Sequence, residues 1–321
     1  GTLRFTGGLT LGASGVLDVT GSTLSVSQVL DLSSGTFSSS DNSSMLDLQA
    51  ATTLSANDQV TGQDPVTFED VHFNGNVLTL GSASTHLKVN DALALSGIAL
   101  ETGAGSLTLS GALALSNNAS LNSSGGTITL QSGGSASTAS EVSLTDTTLV
   151  TNNYFTFTGS TLAAINTTFT TNGFGLAIDS GSILEVEGTQ NISGLFSDNT
   201  STLRLTADTE LNNDAWFWID TLDLANNALT LDDQMAKLSV VQPVTLDAAG
   251  EQIVTGNADL TLNGGINVTA GALSSTGGAL TLPSGATLAT GASFSTSNTT
   301  LNLGGSLAVA DTWTSTSTSV S

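Results

Sequence analysis

The chain is built around a short triplet in which two aliphatic residues flank a small or polar one. Examples are Leu9-Thr10-Leu11, Leu107-Thr108-Leu109 and Leu301-Asn302-Leu303. In an extended strand, residues i and i+2 share a face, so both aliphatic side chains point inward and the middle residue meets water. Each triplet therefore predicts a very short β-strand.

The triplets recur along the chain at intervals of about 21 residues, which is the signature of a repeat architecture. The C-terminal part shows three rows of recurring inward positions: Leu238, Leu260, Leu280 and Leu301; Val244, Ile266, Leu288 and Leu307; and Ile253, Leu273, Phe294 and Trp313. A similar row near the middle is Leu87, Leu107 and Ile128. Gly, Ser, Asn and Asp fill the intervals, and these residues favour turns. The pattern predicts three strands per repeat.

One coil of this kind cannot bury its aliphatic side chains alone. Stacking coil on coil closes an apolar core and pairs each strand in parallel with the equivalent strand of the next coil. The sequence therefore predicts an all-β fold, a right-handed parallel β-helix (β-solenoid) with about 21 residues and three short strands per coil, and about 15 coils in 321 residues. A left-handed solenoid with coils of about 18 residues is the alternative, and the longer, less strict spacing favours the right-handed form.

The predicted solenoid covers most of the chain. Residues 1–312 are expected to form a single continuous solenoid with an irregular interruption at 207–221, followed by a Thr/Ser-rich end or linker at 313–321. A helical coiled coil is excluded because the apolar pairs lie at i and i+2 and Gly would break the helices. Because the chain starts at Gly1 without a signal peptide, we expect it to be a segment of a longer precursor.

Composition supports a folded, non-membrane segment. The chain has 50 Thr and 44 Ser, yet 39% of its residues are apolar and the mean hydropathy is +0.21, which is unlike a disordered polar tract. No apolar run approaches the roughly 18 residues of a membrane helix, so we expect no membrane insertion by this segment. The absence of Cys excludes a disulfide scaffold, a thiolate metal site and a Cys nucleophile.

The charge balance excludes several partners. Four Lys and Arg against 27 Asp and Glu give a net charge of −23. The four bases, Arg4, Lys88, Arg204 and Lys237, are scattered singly, so no nucleic-acid or anionic-membrane surface is predicted. The same scarcity argues against a polyuronate lyase, which needs bases to hold its acidic polymer.

The repeat texture resembles that of a family of bacterial surface proteins. Residues 7–19, Gly-Gly-Leu-Thr-Leu-Gly-Ala-Ser-Gly-Val-Leu-Asp-Val, resemble autotransporter passenger domains and filamentous-haemagglutinin-type adhesins. The resemblance extends over most of the chain and rests on texture, without a signature motif. It implies a right-handed parallel β-helix exported to the bacterial cell surface. The absence of Cys agrees with passage across two membranes in an unfolded state.

The leading hypothesis is a non-enzymatic extracellular solenoid that forms the stalk, fibre or adhesive body of a larger surface protein. A solenoid end exposes unpaired strand edges and the mouth of the apolar core. We therefore expect its ends to meet copies of the chain or neighbouring domains.

The alternative hypothesis is a carbohydrate-binding or polysaccharide-cleaving β-helix that uses residues 208–233. This stretch holds seven acids, which are Asp208, Glu210, Asp214, Asp220, Asp223, Asp232 and Asp233. It also contains Trp216-Phe217-Trp218, where strand alternation places both Trp residues on one face and Phe217 on the other. Exposed Trp beside carboxylates is typical of a sugar platform, so the candidate binding residues for a surface glycan are Trp216, Trp218, Asp214 and Asp220.

Two other interpretations apply to this stretch. In the first, the aromatic rings plug a wider coil or cover an interruption of the repeat. In the second, Asp232 and Asp233 belong to a solvated acidic loop. Hydrolysis needs carboxylates that converge on one groove, whereas adjacent residues point to opposite faces of a strand and converge only in a turn.

No cofactor or metal site is predicted. His72 and His86 are the only imidazoles, and neither lies in a motif with metal-ligand spacing. The calcium nonapeptide of β-helices and the EF-hand loop do not occur, so bound calcium would have to use irregular acidic turns.

Overall fold

The structure is a computed structural model that describes residues 1–39, 43–56, 66–172, 175–179, 181–192, 195–197, 200–212, 216–231 and 237–321. At 192, 195–197 and 216 only the backbone is described. The described residues form β-strands joined by turns. Among them there is no helix long and apolar enough to cross a membrane.

The chain divides into two compact units, the first comprising Gly1–Thr156 and Thr170–Phe174 and the second Phe157–Phe169 and Gly175–Ser321. The strands of the first unit are β1 (Thr2–Arg4), β2 (Leu9–Thr10), β3 (Val16–Asp18), β4 (Thr23–Leu32), β5 (Thr36–Ser38), β6 (Met45–Ala56), β7 (Val66–Phe68), β8 (Asp70–His72), β9 (Leu78–Leu80), β10 (His86–Val89), β11 (Leu93–Ser96), β12 (Ala99–Gly103), β13 (Ser106–Leu109), β14 (Leu113–Ser116), β15 (Ser120–Ser123), β16 (Thr127–Leu130), β17 (Gly134–Ser137), β18 (Glu141–Thr145) and β19 (Thr148–Thr151). Two strands, β20 (Phe155–Thr158) and β22 (Thr168–Thr171), contain residues assigned to both units.

The strands of the second unit are β21 (Thr161–Ile165), β23 (Leu176–Asp179), β24 (Ile183–Ile192), β25 (Leu195–Ser197), β26 (Thr202–Asn212), β27 (Trp216–Ile219), β28 (Thr221–Asp223), β29 (Ala228–Leu231), β30 (Lys237–Val240), β31 (Val244–Leu246), β32 (Gln252–Thr255), β33 (Asp259–Leu262), β34 (Ile266–Val268), β35 (Ala272–Ser275), β36 (Ala279–Leu282), β37 (Ala286–Leu288), β38 (Ser293–Ser297), β39 (Thr300–Leu303), β40 (Leu307–Val309), β41 (Trp313–Thr316) and β42 (Ser319–Val320).

The first unit is a parallel solenoid in which most strands pair with the equivalent strand of a neighbouring coil. β10 pairs with β13 and β13 with β16, which places Leu87, Leu107 and Ile128 side by side. All three side chains are buried. The row predicted from the sequence is therefore confirmed, because the two-residue period puts these aliphatic residues on the inner face.

The second unit has the same construction, and it confirms two of the three C-terminal rows. The first row runs through β30, β33, β36 and β39, and the third through β32, β35, β38 and β41. In the second row, the prediction was wrong at one position. Ile266 pairs with Ala286, and Leu288 pairs with Val268. Ala286 and Leu288 both face inward on β37, so the alternation was right and the register was wrong by two residues.

The protein is thus an all-β parallel β-solenoid with about 21 residues per turn and about 14 turns, close to the number predicted. In the predicted interruption at 207–221, the described residues include the end of β26 and all of β27, and β27 pairs with β30. Within 313–321, β41 pairs with β38 and β42 pairs with β39.

Small and hydroxyl residues allow the coils to turn and stack closely. Thr147, which is buried, donates from Oγ1 to the carbonyl oxygen of Thr145 at 2.8 Å, and the same Oγ1 lies 2.9 Å from Oγ of Ser123, which can donate to it. Gly126 has a φ of +71°, and a Cβ built there would overlap the carbonyl oxygen of Gly105 in the preceding coil. Gly126 therefore lies where any side chain would separate the coils.

Candidate functional site

The aromatic strand β27 directs two adjacent rings to opposite faces. Phe217 is completely buried and pairs in register with Leu238, whereas Trp218 is 49% exposed and pairs with Ser239. The predicted alternation is confirmed for these two residues. The backbone of Trp216 pairs with Lys237. An indole is therefore displayed on the outer surface of the second unit.

A row of hydroxyl and amide side chains continues from Trp218 across the next coils. The residues in register with it are Ser239, Thr261, Thr281 and Asn302. Ser239 itself is buried, and its Oγ accepts a hydrogen bond from Nδ2 of Asn263 at 3.0 Å. The polar groups that reach the surface belong to the half-buried Thr261, Thr281 and Asn302, on strands about 4.8 Å apart. Asn302 donates from Nδ2 to Oγ1 of Thr281 at 3.1 Å, which links two members of the row. An aromatic face next to a polar row is an arrangement suited to sugar rings.

Asp220 lies at the corner that follows β27, close in sequence to Trp218. Its Oδ1 accepts a hydrogen bond from Nε2 of Gln242 at 3.1 Å, and its Oδ2 accepts one from Oγ1 of Thr221 at 3.2 Å. These bonds hold the carboxylate at the corner. The remaining candidate, Asp214, lies outside the described residues.

Two other acids of the segment line a separate shallow groove of about 390 Å³ with Thr189 and Thr230. Asp208 accepts a hydrogen bond at Oδ1 from the backbone N–H of Ala228 at 2.9 Å. Glu210 accepts one at Oε2 from Oγ1 of Thr189 at 3.5 Å. The lining of this groove does not include Trp218 or Asp220. The acids that are close in sequence therefore belong to different surfaces.

Asp223 is part of a charged ladder across three successive coils. Nε of Arg204 donates to Oδ2 of Asp223 at 3.1 Å, and Nη1 donates to Oε1 of Glu185 at 3.1 Å. These hydrogen bonds, chiefly the one to Asp223, raise the pKa of Arg204 above its ordinary value. The guanidinium therefore links coils. The acidic pair Asp232-Asp233 lies outside the described residues.

The two histidines are in different surroundings. Nε2 of His72 lies 2.9 Å from Oδ2 of Asp70, and Nε2 of His86 lies 2.9 Å from Oγ1 of Thr108. Within the described ranges, no group of three or more His, Cys, Asp or Glu side chains could hold a metal ion.

A further groove, in the first unit, was not indicated by the repeat pattern. It has a volume of about 460 Å³ and lies between residues 70–75 and residues 92–98. One signal in the sequence points to it, namely a change in linker length. A single residue, Glu69, separates β7 from β8, whereas three residues separate β10 from β11 one coil later.

Comparison with known proteins identified no relative, because no family model, curated protein or solved structure matches the chain.

Proposed function

We propose that the chain is a non-enzymatic, extracellular β-solenoid that serves as the stalk, fibre or display body of a larger bacterial surface protein. The observation that supports this proposal is the stacking of inward aliphatic side chains from coil to coil. In β30, β33, β36 and β39 the paired residues Leu238, Leu260, Leu280 and Leu301 are all fully buried. A fold built this way is suited to reach and display.

Polar side chains reinforce the same stacking on the outside. Besides the ladder centred on Arg204, Asn122 donates from Nδ2 to Oε1 of Glu101 at 2.8 Å, and these residues pair in register on successive coils. Asn302 and Thr281 are linked in the same way. Hydrogen bonds between coils add to the backbone pairing and favour a mechanical role.

The mechanical role can be tested by stretching single molecules held at residues 1 and 321. We expect abrupt extensions in multiples of about 7 nm, because one coil of about 21 residues extends by about 3.4 Å per residue. A smooth extension at low force, as for an unstructured chain, would contradict the proposal. Incubation with neutral and acidic polysaccharides should release no reducing ends above a buffer control.

Glycan binding by the surface around Trp218 is the second candidate function, and the exposure of that indole favours it. It predicts binding to a glycan array that is lost in Trp218→Ala. Tyr154→Ala is the matched control, because Tyr154 is another exposed aromatic residue, at 52%. If reducing ends are released, Asp208→Asn and Glu210→Gln would show whether their groove is responsible, and the non-enzymatic proposal would be wrong.

The partners proposed for the solenoid ends are copies of the chain or neighbouring domains. Leu3 in β1 and Val320 in β42 are 38% and 58% exposed, although they pair in register with the buried core residues Leu24 and Leu301. Another coil or domain stacked there would cover this apolar surface. Sedimentation over a wide concentration range should show association of the isolated chain, and a persistent monomer would contradict self-association.

A further inference from the structure

In the first unit, the backbone pairing between successive coils is interrupted between β8 and β11. β8 pairs with β6, and β11 pairs with β14. In the part of the chain that the structure describes, no strand pairs with the opposite edge of either one. The same two coils are nevertheless joined elsewhere, because β9 pairs with β12 and β10 with β13. Successive coils thus stack along two strands and separate along the third.

The free edge of β11 presents backbone groups to this opening. The N–H of Leu93 donates to the carbonyl oxygen of Ala112 at 2.9 Å, and that of Gly97 donates to Ser116 at 3.1 Å, both toward β14. In a parallel pair, alternate residues of a strand direct both N–H and C=O to the same neighbour. Ala94 and Ser96 therefore direct their N–H and C=O groups away from β14. Both residues line the groove of about 460 Å³.

The opposite wall of the groove is β8, where a side chain of the same strand satisfies a backbone donor. The N–H of Val71 donates to Oδ1 of Asp70 at 2.7 Å, and Oδ2 of Asp70 lies 2.9 Å from Nε2 of His72. A side-chain carboxylate thus satisfies a donor that a neighbouring strand would satisfy elsewhere in the ladder. The two walls differ, and the edge open to pairing is that of β11.

We propose that this groove binds an extended, basic peptide segment of a protein partner, which pairs with the free edge of β11. Alternating N–H and C=O groups are the chemistry that recognises another extended backbone, as in strand addition to a sheet edge. The charge of the partner follows from the acids in the lining or next to it in sequence or register: Asp47, Glu69, Asp70 and Asp91. Lys or Arg side chains on the added strand would complement them.

The test uses the full chain and a fluorescein-labelled nine-residue peptide of alternating Thr and Lys, with binding followed by anisotropy. Two comparison peptides carry Glu in place of Lys, or a methyl group on every backbone nitrogen. We expect each comparison peptide to bind at least tenfold more weakly. Equal binding of the methylated peptide would reduce the interaction to charge attraction and overturn strand addition. Equal binding of the Glu peptide would overturn the basic partner, and no binding at millimolar concentration would overturn both.

Variants of β11 test whether the peptide binds at this strand. Ala94→Pro removes an N–H on the free edge and leaves the bonds to β14 intact, which is a position where strands tolerate Pro. We expect Ala94→Pro to lower the affinity for the Thr/Lys peptide at least tenfold. Ala94→Ser keeps the N–H and should bind the peptide as the unmodified chain does. Should circular dichroism show that Ala94→Pro is unfolded, Ser96→Arg keeps the backbone and fills the groove with a cation. Unchanged affinity in the folded variant would overturn the proposal.

Discussion

Phe217 and Trp218 are neighbours in sequence, yet one is completely buried and the other is 49% exposed on the outer surface. The cause is the two-residue period of β27, which sends successive side chains to opposite faces. Phe217 packs in the core row that includes Leu238, while Trp218 begins the outer row that includes Ser239. Phe217 is therefore part of the core, whereas about half of Trp218 meets water.

Replacing these residues should have unequal effects on stability. We expect Phe217→Ala to lower the free energy of unfolding by about 3–5 kcal/mol, because it removes a buried ring and leaves a cavity. Trp218→Ala should cost less than about 1 kcal/mol, because about half of its side chain already meets water. Denaturant unfolding measures both values, and equal costs would show that the facing of β27 is wrong.

A pair of Asp substitutions tests the facing of β33. Leu262 is fully buried and Thr261 is on the outer face. Leu262→Asp should unfold the chain or cost more than about 3 kcal/mol, because an unpaired charge would enter the apolar core. Thr261→Asp should change stability by no more than about 0.5 kcal/mol. Thermal unfolding followed by circular dichroism distinguishes the two results, and a similar loss in both variants would contradict the assignment.

The charged ladder through Arg204 should contribute modestly and depend on salt. Because the Arg204 side chain is 39% exposed, we expect Arg204→Gln to cost no more than about 1 kcal/mol at low ionic strength. The cost should shrink at about 1 M salt, where the Debye length is about 3 Å. Lys88→Gln is the matched control, since it removes the same charge from another outward strand position. An equal, salt-dependent loss in both variants would assign the effect to net charge and contradict a specific ladder.

Two glycines distinguish the effect of close coil stacking on stability from the effect of backbone strain. Both Gly126 and Gly75 have positive φ, at +71° and +77°. A Cβ at Gly75 would meet nothing within 4 Å, so Gly75→Ala should cost about 1 kcal/mol through strain alone. Gly126→Ala should cost more, since its Cβ would overlap the backbone of Gly105 and push two coils apart. Urea unfolding would contradict this if the two variants were equally stable.

The sequence alone determined the fold class and the facing of most side chains. The i, i+2 pattern needs only the geometry of one strand, so the inner row Leu87, Leu107 and Ile128 and the split between Phe217 and Trp218 followed from local alternation. The repeat length then required parallel pairing between coils, because no single coil could bury its aliphatic residues.

The tertiary structure decided what depends on how one coil lies against the next. The two-residue alternation places both Ala286 and Leu288 on the inner face but does not say which of them lies beside Ile266. The pairing of β37 with β34 decides that it is Ala286. The separation of Asp208 from Asp220 and the opening between β8 and β11 likewise depend on the direction in which turns send the following strands. A short-range period carries no information on that direction, because it is set by contacts between residues about 21 positions apart.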